Sequence, residues 1–404
     1  MLSRRDVDPD ALRVLYRLKE AGFAAYIVGG GVRDLLLGRR PKDFDIGTDA
    51  HPYQVKRLFR NCYIIGRRFR LAHVVFGKKV IEVATFRRQV TEQEVAEAAA
   101  APAPAPDAGH LIHRDNTFGT AEEDAFRRDF TINALFYDIA TFSIIDYVGG
   151  LQDLRDGLIR CIGDPDVRFK EDPVRMQRAV AFSARLGFRI DQAIADSIAR
   201  HRGEIAKASA PRLMDEYYKI LRSGAACATF EALWHARLLE PLSAALHERA
   251  GDPLWESLDR LDDYRAPFAS SPDELTNAVL LGSLIVPLGF SQGGWSSRPG
   301  EHERPGATLG LLPLARRDLE RVHQLLAIQS RLREPSRSAN ARRLLTERGA
   351  FADALTWMKI HGGSPELVAY WREEAGQPAP EAVQKRRRRR RGRRRGSGAQ
   401  RDPI

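Results

Sequence analysis

Cysteine is scarce in this 404-residue chain, and long apolar runs are missing from it. The three cysteines, Cys62, Cys161 and Cys227, lie far apart without CxxC spacing, which argues against a disulfide framework or a zinc site. No stretch approaches the roughly 18–20 apolar residues that a membrane helix needs, and no signal-peptide pattern follows Met1. We therefore expect a cytoplasmic protein with no membrane span.

Most of the chain also has little net charge. The net charge is +11, but the segment 385–395 contributes ten basic residues and no acidic one, which leaves about +1 for the rest. Gly392 interrupts this segment and it has no apolar face, so we expect a disordered tail that binds nucleic-acid phosphates by counterion release, with a merely solubilising role as the alternative. The basic residues are Lys385, Arg386, Arg387, Arg388, Arg389, Arg390, Arg391, Arg393, Arg394 and Arg395.

Apolar periodicity predicts an α+β protein. Strand-like runs among helices and loops in the first 150 residues predict a small mixed or antiparallel sheet, with a hairpin at Gly77. A helix is predicted over 126–135, which would place Asp129 and Asn133 one turn apart. From Pro173 onward helical spacing dominates, with helices predicted over 174–186, 191–201, 212–221 and 227–236.

Three carboxylates carry the chemical prediction. Asp43 and Asp45 alternate with apolar residues in a predicted strand over 42–46, so both face the same side, about 6.5–7 Å apart. Carboxylates so placed can converge on two Mg²⁺ ions about 3.5–4 Å apart, and Glu82 in the run 80–86 is the candidate third acid. An isolated Asp-x-Asp is more often a surface turn or a calcium ligand. Here it follows Gly29-Gly30 between a strand and a helix, a layout typical of phosphate binding.

Three motifs in order resemble the class II tRNA nucleotidyltransferase and bacterial poly(A) polymerase family of the DNA polymerase β superfamily. They are Gly29-Gly30-Gly31-Val32-Arg33-Asp34 with Asp43-Phe44-Asp45, then Arg127-Arg128-Asp129-Phe130-Thr131-Ile132-Asn133, then Glu171-Asp172-Pro173-Val174-Arg175. The resemblance covers roughly residues 24–224. It implies a nucleotidyltransferase head (1–150), a helical neck that recognises the base (151–224), an RNA-binding helical body (225–375) and the basic tail (376–404).

The resemblance also implies roles for the phosphate and ribose side of the site. Two Mg²⁺ ions would be held by Asp43 and Asp45, with ATP as the substrate. The residues implied to approach the triphosphate or ribose are Gly29, Gly30, Arg33, Arg128, Asp129 and Asn133. Asp129 would accept a hydrogen bond from the ribose 2′-hydroxyl. An Arg33–Asp34 ion pair that fixes the turn is the structural alternative for Arg33.

On the base side, the resemblance implies that Asp172 and Arg175 pair with the nucleobase edge while Glu171 orients Arg175. Asp only accepts and Arg only donates hydrogen bonds, so together they can match a base. Arg178 is a further candidate for this pocket. An ion pair at a helix start is an equally natural reading, and both can hold at once. The sequence departs from the family at Gln177, where Leu is common, and at Ala181, where Arg is frequent.

The product is predicted from neighbouring segments. Residues 64–76, 114–125 and 210–213 are similar to the poly(A) polymerase branch, which implies template-independent addition of AMP from ATP to RNA 3′ ends with release of pyrophosphate. A CCA-adding or A-adding tRNA nucleotidyltransferase is the alternative, and a noncatalytic RNA-binding protein is a third reading. The expected partners are RNA 3′ ends and ATP, with RNA-decay proteins as further partners of the tail.

Overall fold

The computed structural model of the protein describes residues 2–66, 70–89, 117–268, 270–289, 308–334 and 338–376. The chain forms two compact units, Met1–Glu216 with Ala228–His247, and Tyr217–Cys227 with Glu248–Ile404. The predicted α+β class is confirmed. The division into head, neck and body stays a prediction, and the basic residues of the tail lie outside the described residues.

A seven-stranded mixed sheet lies in the first unit. In chain order its strands are β1 Ala25–Val28, β2 Asp45–Thr48, β3 Cys62–Ile65, β4 Leu71–Phe76, β5 Lys79–Thr85, β6 Leu135–Asp138 and β7 Ser143–Asp146. They lie in the order β3-β4-β5-β2-β1-β6-β7, with β2 and β5 parallel and the other neighbours antiparallel. The predicted hairpin at Gly77 is confirmed as the β4–β5 turn, where Gly77 has a φ of 63°.

Helices flank this sheet and follow it. Up to residue 249 they are α1 Pro9–Glu20, α2 Gly30–Leu36, α3 Pro52–Leu58, α4 Ala121–Phe126, α5 Gly150–Asp156, α6 Pro165–Glu171, α7 Val174–Leu186, α8 Gln192–His201, α9 Ala210–Leu221, α10 Ala226–His235 and α11 Ala244–Arg249. Three-residue 3₁₀ turns lie at Arg4–Asp6 and Thr131–Asn133, and a longer one at Arg202–Lys207. The short strands β8 Leu158–Ile159 and β9 Arg189–Ile190 pair in parallel. An aromatic core that includes Phe86 and Phe136 packs against one part of the sheet.

Helix α7 matches its predicted bounds because both ends carry strong sequence signals. Pro173 precedes the first turn, and Gly187 ends the helix in the left-handed conformation with a φ of 72°. The amides of Gly187 and Phe188 both donate to the Ser183 carbonyl, at 2.9 and 3.1 Å. The predicted helices 191–201, 212–221 and 227–236 are confirmed to within two residues as α8, α9 and α10.

The helix predicted over 126–135 is wrong. Its residues instead bond to the segment 160–162: the Thr131 amide donates to the Arg160 carbonyl, and the Ile162 amide to the Asp129 carbonyl. The Asp129 carboxylate also accepts from the next amide, at 2.8 Å, which competes with helix formation. Tertiary pairing therefore overrides the local pattern, although Asp129 and Asn133 still meet.

The strand predicted over 42–46 starts later than expected, at Asp45. Its neighbour β1 ends at Val28, which pairs with Asp45, so the ladder offers Asp43 no partner on that side. Asp43 therefore lies in the loop just before β2, with an exposed side chain.

The second unit is mainly helical. Beyond residue 249 the elements are α12 Asp252–Arg265, α13 Asn277–Ile285, β10 Thr308–Leu309, β11 Leu312–Pro313, α14 Arg316–Leu332, α15 Ala339–Thr346, α16 Phe351–His361 and α17 Pro365–Glu374. Helix α13 is buried from Ala278 to Ile285, and Gly282 lets the Trp357 ring pack directly on its backbone. None of the helices in the described ranges is long and apolar enough to cross a membrane.

Candidate active site

The candidate active site is a cavity of about 620 Å³ in the first unit. Most residues singled out in the sequence line it, namely Gly29, Gly30, Arg33, Asp45, Glu82, Arg128, Asp129, Asn133, Asp172, Arg175 and Arg178. Asp43 and Glu171 are not among the lining residues: Asp43 precedes Asp45 in the loop before β2, and Glu171 accepts a hydrogen bond from Arg175. The fold therefore gathers side chains that are up to about 150 positions apart in the sequence.

Gly29 forms the turn between β1 and α2. Its φ of 69° is unfavourable for other residues, and a Cβ there would lie 3.0 Å from Nη1 of Arg128. The Gly29 amide donates to the Leu135 carbonyl at 3.1 Å, which ties the turn to β6. The turn thus needs glycine for two reasons, backbone conformation and the close approach of Arg128.

Asp43, Asp45 and Glu82, here called the acid cluster, lie at one side of the cavity. The parallel pairing of Ile46 with Val83 sets Asp45 beside Glu82 on neighbouring strands. Solvent reaches one side of the Asp45 carboxylate through the open cavity, while protein atoms bury it on its other sides. This burial, followed by the charges of Glu82 and Asp43, raises the pKa of Asp45 to about 6. Within the described ranges no arginine or lysine forms an ion pair with Asp45 or Glu82.

The acid cluster fits Mg²⁺ better than a metal held by protein alone. The described residues contain no group of three or more His, Cys, Asp or Glu side chains arranged around one metal position. Mg²⁺ typically binds one or two carboxylates and completes its octahedron with water and substrate phosphates. The mutual repulsion of these carboxylates favours a cation between them.

Asp124, on α4, holds two arginines of the RRD motif. Its side chain is almost fully buried, with one oxygen accepting from Arg127 at 2.6 and 2.8 Å and the other from Arg128 at 2.8 and 3.1 Å. Burial alone would raise its pKa, but Arg128 and Arg127 offset that effect and lower it. Arg128 also donates to the Asn133 carbonyl at 3.0 Å. Its guanidinium is therefore fixed over the Gly29 turn.

Asp129 bonds to Arg178 in the middle of the cavity. One carboxylate oxygen accepts from Nε and Nη2 of Arg178 at 2.9 and 2.7 Å, and the other accepts from Asn133 Nδ2 at 3.1 Å. Burial would raise the pKa of Asp129, but these donors lower it. Arg33 bonds to Asp34 at 2.7 Å and also to the Asn133 side chain, so the ion pair considered for Arg33 is present. The role of Asp129 toward a ribose stays a prediction.

The EDxxR motif spans the end of α6 and the start of α7. Glu171 accepts from Arg175 at 3.1 Å and from Arg168 at 2.9 Å, so the expected contact between Glu171 and Arg175 is present. Asp172 accepts two parallel hydrogen bonds from Arg212, at 2.9 and 2.7 Å. The base-reading roles themselves stay predictions.

The residues in or next to the cavity that were not assigned from the sequence include Asp124, Arg168, Phe182, Arg185 and Arg212. Asp124 could have been found by its spacing, three and four positions before Arg127 and Arg128. Arg168 is buried and donates at 2.6 Å to the carbonyls of both Arg127 and Arg128, which joins α6 to the RRD motif. Arg212 donates to Asp172, 40 positions away in the chain, and no local sequence pattern predicts this contact.

Comparisons with known protein families agree with this geometry. Residues 25–160 match the family described as "Poly A polymerase head domain". Residues 187–248 match "Probable RNA and SrmB- binding site of polymerase A". Residues 25–160 therefore carry the head domain of the poly(A) polymerase family, and residues 187–248 carry its probable RNA-binding region.

Individual relatives come from both branches of that family. Poly(A) polymerase I of Salmonella typhi is 52% identical over 241 residues, which cover 60% of this chain and 51% of that protein. The CCA-adding enzyme of Bacillus subtilis is 35% identical over 276 residues, covering 68% and 64%. The Bacillus stearothermophilus CCA-adding enzyme in complex with CTP has a TM-score of 0.62 at 25% identity, covering 92% of this chain and 83% of that one. The chain thus spans about half the length of the poly(A) polymerase it matches.

Proposed function

We propose that the protein is a poly(A) polymerase, which adds AMP from ATP to RNA 3′ ends without a template. One observation carries the proposal: a single cavity joins Asp45 and Glu82 of the acid cluster, the Gly29 turn, and Asp172 with Arg175. The RNA 3′-hydroxyl oxygen would attack the α-phosphorus as the bond to pyrophosphate breaks and the hydroxyl proton leaves. Since RNA and ATP are both cytoplasmic, the proposal implies a cytoplasmic location.

Different residues of the site are proposed to contact the metal ions, the triphosphate and the rest of the nucleotide. Two Mg²⁺ ions held by Asp43 and Asp45 would supply activation of the hydroxyl and neutralisation of the leaving pyrophosphate. The backbone at Gly29 and Gly30 and the fixed guanidinium of Arg128 would bind the triphosphate. The remaining nucleotide contacts are proposed for Asp129, Asn133, Asp172, Arg175 and Arg178.

ATP is proposed over CTP because the 52% identity to a poly(A) polymerase exceeds the 35% identity to a CCA-adding enzyme, each over more than half of this chain. A CCA-adding activity is the second candidate, favoured by the likeness to the CTP complex. The test is extension of a generic RNA oligonucleotide and of a tRNA lacking its CCA end, each with ATP or CTP. We expect long A tails on both acceptors. Efficient CTP addition to the tRNA, with arrest after one A, would instead establish the second candidate.

The tail 385–395 is proposed to contact RNA phosphates, with RNA-decay proteins as further partners. Ten positive charges should give RNA binding a steep dependence on salt. A chain truncated after Gln384 should bind RNA more weakly and with a smaller salt slope than the full chain. An unchanged slope would show that these arginines do not face RNA.

A further inference from the structure

Helix α7 presents one face to the cavity along its whole length. Arg175, Arg178, Phe182 and Arg185 line the cavity, at intervals of three, four and three residues, which keeps them on one side of an α-helix. The first two belong to the proposed base and ribose contacts. The last two belong to none of the motifs singled out in the sequence.

Three guanidinium groups surround the Phe182 ring. Those of Arg33, Arg178 and Arg185 lie 5.1, 5.1 and 5.2 Å from its centroid. Arg33 is bonded to Asp34, and Arg178 to Asp129. The guanidinium of Arg185, by contrast, has no hydrogen bond or ion pair to any residue that the structure describes.

The surroundings of Arg185 therefore disfavour its positive charge. Burial, followed by repulsion from Arg33, lowers the pKa of Arg185 to about 10. A partly buried charge without a partner costs stability unless a ligand of opposite charge compensates it. The nearby Asp34 carboxylate accepts two hydrogen bonds from Arg33 and none from Arg185. An anionic ligand in the cavity would supply the partner that Arg185 lacks among the described residues.

The position of Arg185 identifies the anion. Ten residues of helix separate it from Arg175, about 15 Å along the axis at 1.5 Å per residue. Arg33, its neighbour across Phe182, comes within 3.5 Å of where a Cβ on Gly30 would lie, so this end of α7 faces the glycine turn. A nucleotide whose base meets Arg175 and whose ribose meets Asp129 would extend its phosphate chain toward Arg185.

We propose that Arg185 binds the terminal phosphate of the nucleoside triphosphate. Ala181, one turn earlier on α7, is small and stands where the family resemblance leads us to expect an arginine, so Arg185 supplies the positive charge from the next turn. The inference rests on the proposed function only for the presence of a triphosphate in this cavity. It does not depend on which nucleotide is added or on the RNA acceptor.

The test is equilibrium binding of ATP and ADP, with Mg²⁺ and without RNA, to the full chain. Arg185→Ala should weaken ATP binding by roughly tenfold or more, the range for a charge-assisted hydrogen bond, and ADP binding by less than about twofold. Arg185→Lys should be intermediate. Adding Ala181→Arg to Arg185→Ala should restore most of the ATP affinity. Arg189→Ala, at an exposed arginine of β9, is the matched control and should change neither affinity.

Two results would overturn the inference. Equal losses for ATP and ADP would place Arg185 on an inner phosphate, and unchanged ATP affinity with a raised KM for RNA would assign it to the acceptor. The unfolding temperatures of the variants should be no lower than that of the wild type, which separates loss of binding from loss of folding. If the wild type binds ATP through Arg185 yet extends no RNA, the proposed function fails while this inference stands. If it extends RNA and Arg185→Ala binds ATP normally, only the inference fails.

Discussion

In the acid cluster, Asp45 and Glu82 lie side by side, and no arginine or lysine among the described residues bonds to either. Three other carboxylates of the same unit each bond a guanidinium, namely Asp124, Asp129 and Asp172. The pKa of Asp45 is accordingly raised, and those of Asp124 and Asp129 are lowered. The paired carboxylates thus stabilise the fold and fix the arginines. The raised pKa of Asp45 shows that its surroundings disfavour the charged carboxylate, and a bound cation would offset this effect, as expected of a site that acts on a metal-bound triphosphate.

The largest effect should come from removing one charge of the acid cluster. Asp45→Asn keeps the size of the side chain but removes a proposed metal ligand, so RNA extension should fall by at least about 10²-fold, the scale for losing one group that stabilises transition-state charge. Primer extension measures this. Glu122→Gln, at an exposed acid on α4, is the control and should extend RNA normally. Full activity of Asp45→Asn would refute the metal assignment.

At Asp124, by contrast, we expect removal of the charge to lower the free energy of unfolding. Asp124→Asn leaves Arg127 and Arg128 without their buried partner, and breaking a buried pair typically costs about 3–5 kcal/mol. Chemical denaturation should therefore show a large loss in the free energy of unfolding, while Glu122→Gln should leave it within about 0.5 kcal/mol. If Asp124→Asn were as stable as the wild type, the paired carboxylates would not differ from the acid cluster in the way described.

A third kind of polar group sharpens the comparison, one that is buried, uncharged and unpaired. Gln177 lies on α7 with about 1% of its surface exposed, and neither amide atom has a hydrogen-bond partner within the described residues. An unsatisfied buried group costs about 1–3 kcal/mol, so Gln177→Leu should raise the free energy of unfolding by a similar amount. Thermal and denaturant unfolding measure it. A destabilised Gln177→Leu variant would mean that the amide is bonded after all.

Much of this arrangement could be predicted from the sequence, and the exceptions have physical causes. Helix α7 was predictable because Pro173, Gly187 and the apolar spacing all agree. Asp45 and Glu82 could be chosen as acids in otherwise apolar strands. The segment 126–135 was not predictable, because Thr131 and Asp129 bond to residues 30 positions away instead of along a helix.

The pairing of the arginines was hidden for a similar reason. Arg212 reaches Asp172 across 40 positions, and the lack of a hydrogen-bond partner for Arg185 among the described residues can be seen only in the fold. The sequence shows which residues are charged. Which charges lack a partner is a property of the fold.

The smallest expected effect is a dependence of stability on pH. Because the pKa of Asp45 in the folded protein, about 6, lies above the ordinary value for an aspartate, folding favours the protonated form. The metal-free protein should thus lose stability as pH rises from about 4 through 6, and Asp45→Asn should raise the Tm more at pH 8 than at pH 4. Differential scanning calorimetry in EDTA measures both. An equal or larger gain in Tm at pH 4 would contradict the burial and charge repulsion that raise the pKa of Asp45.

The most direct test of the central claim is to count the metal ions bound with a nucleotide. Titration of Mn²⁺ into the protein and a nonreactive ATP analogue, followed by electron paramagnetic resonance, should give about two tightly bound ions per chain. The Asp43→Asn and Asp45→Asn variants should each lose at least one of them. An unchanged number of ions in both variants would show that the acid cluster does not hold the metal, and the account of this cavity as a nucleotidyltransferase site would be contradicted.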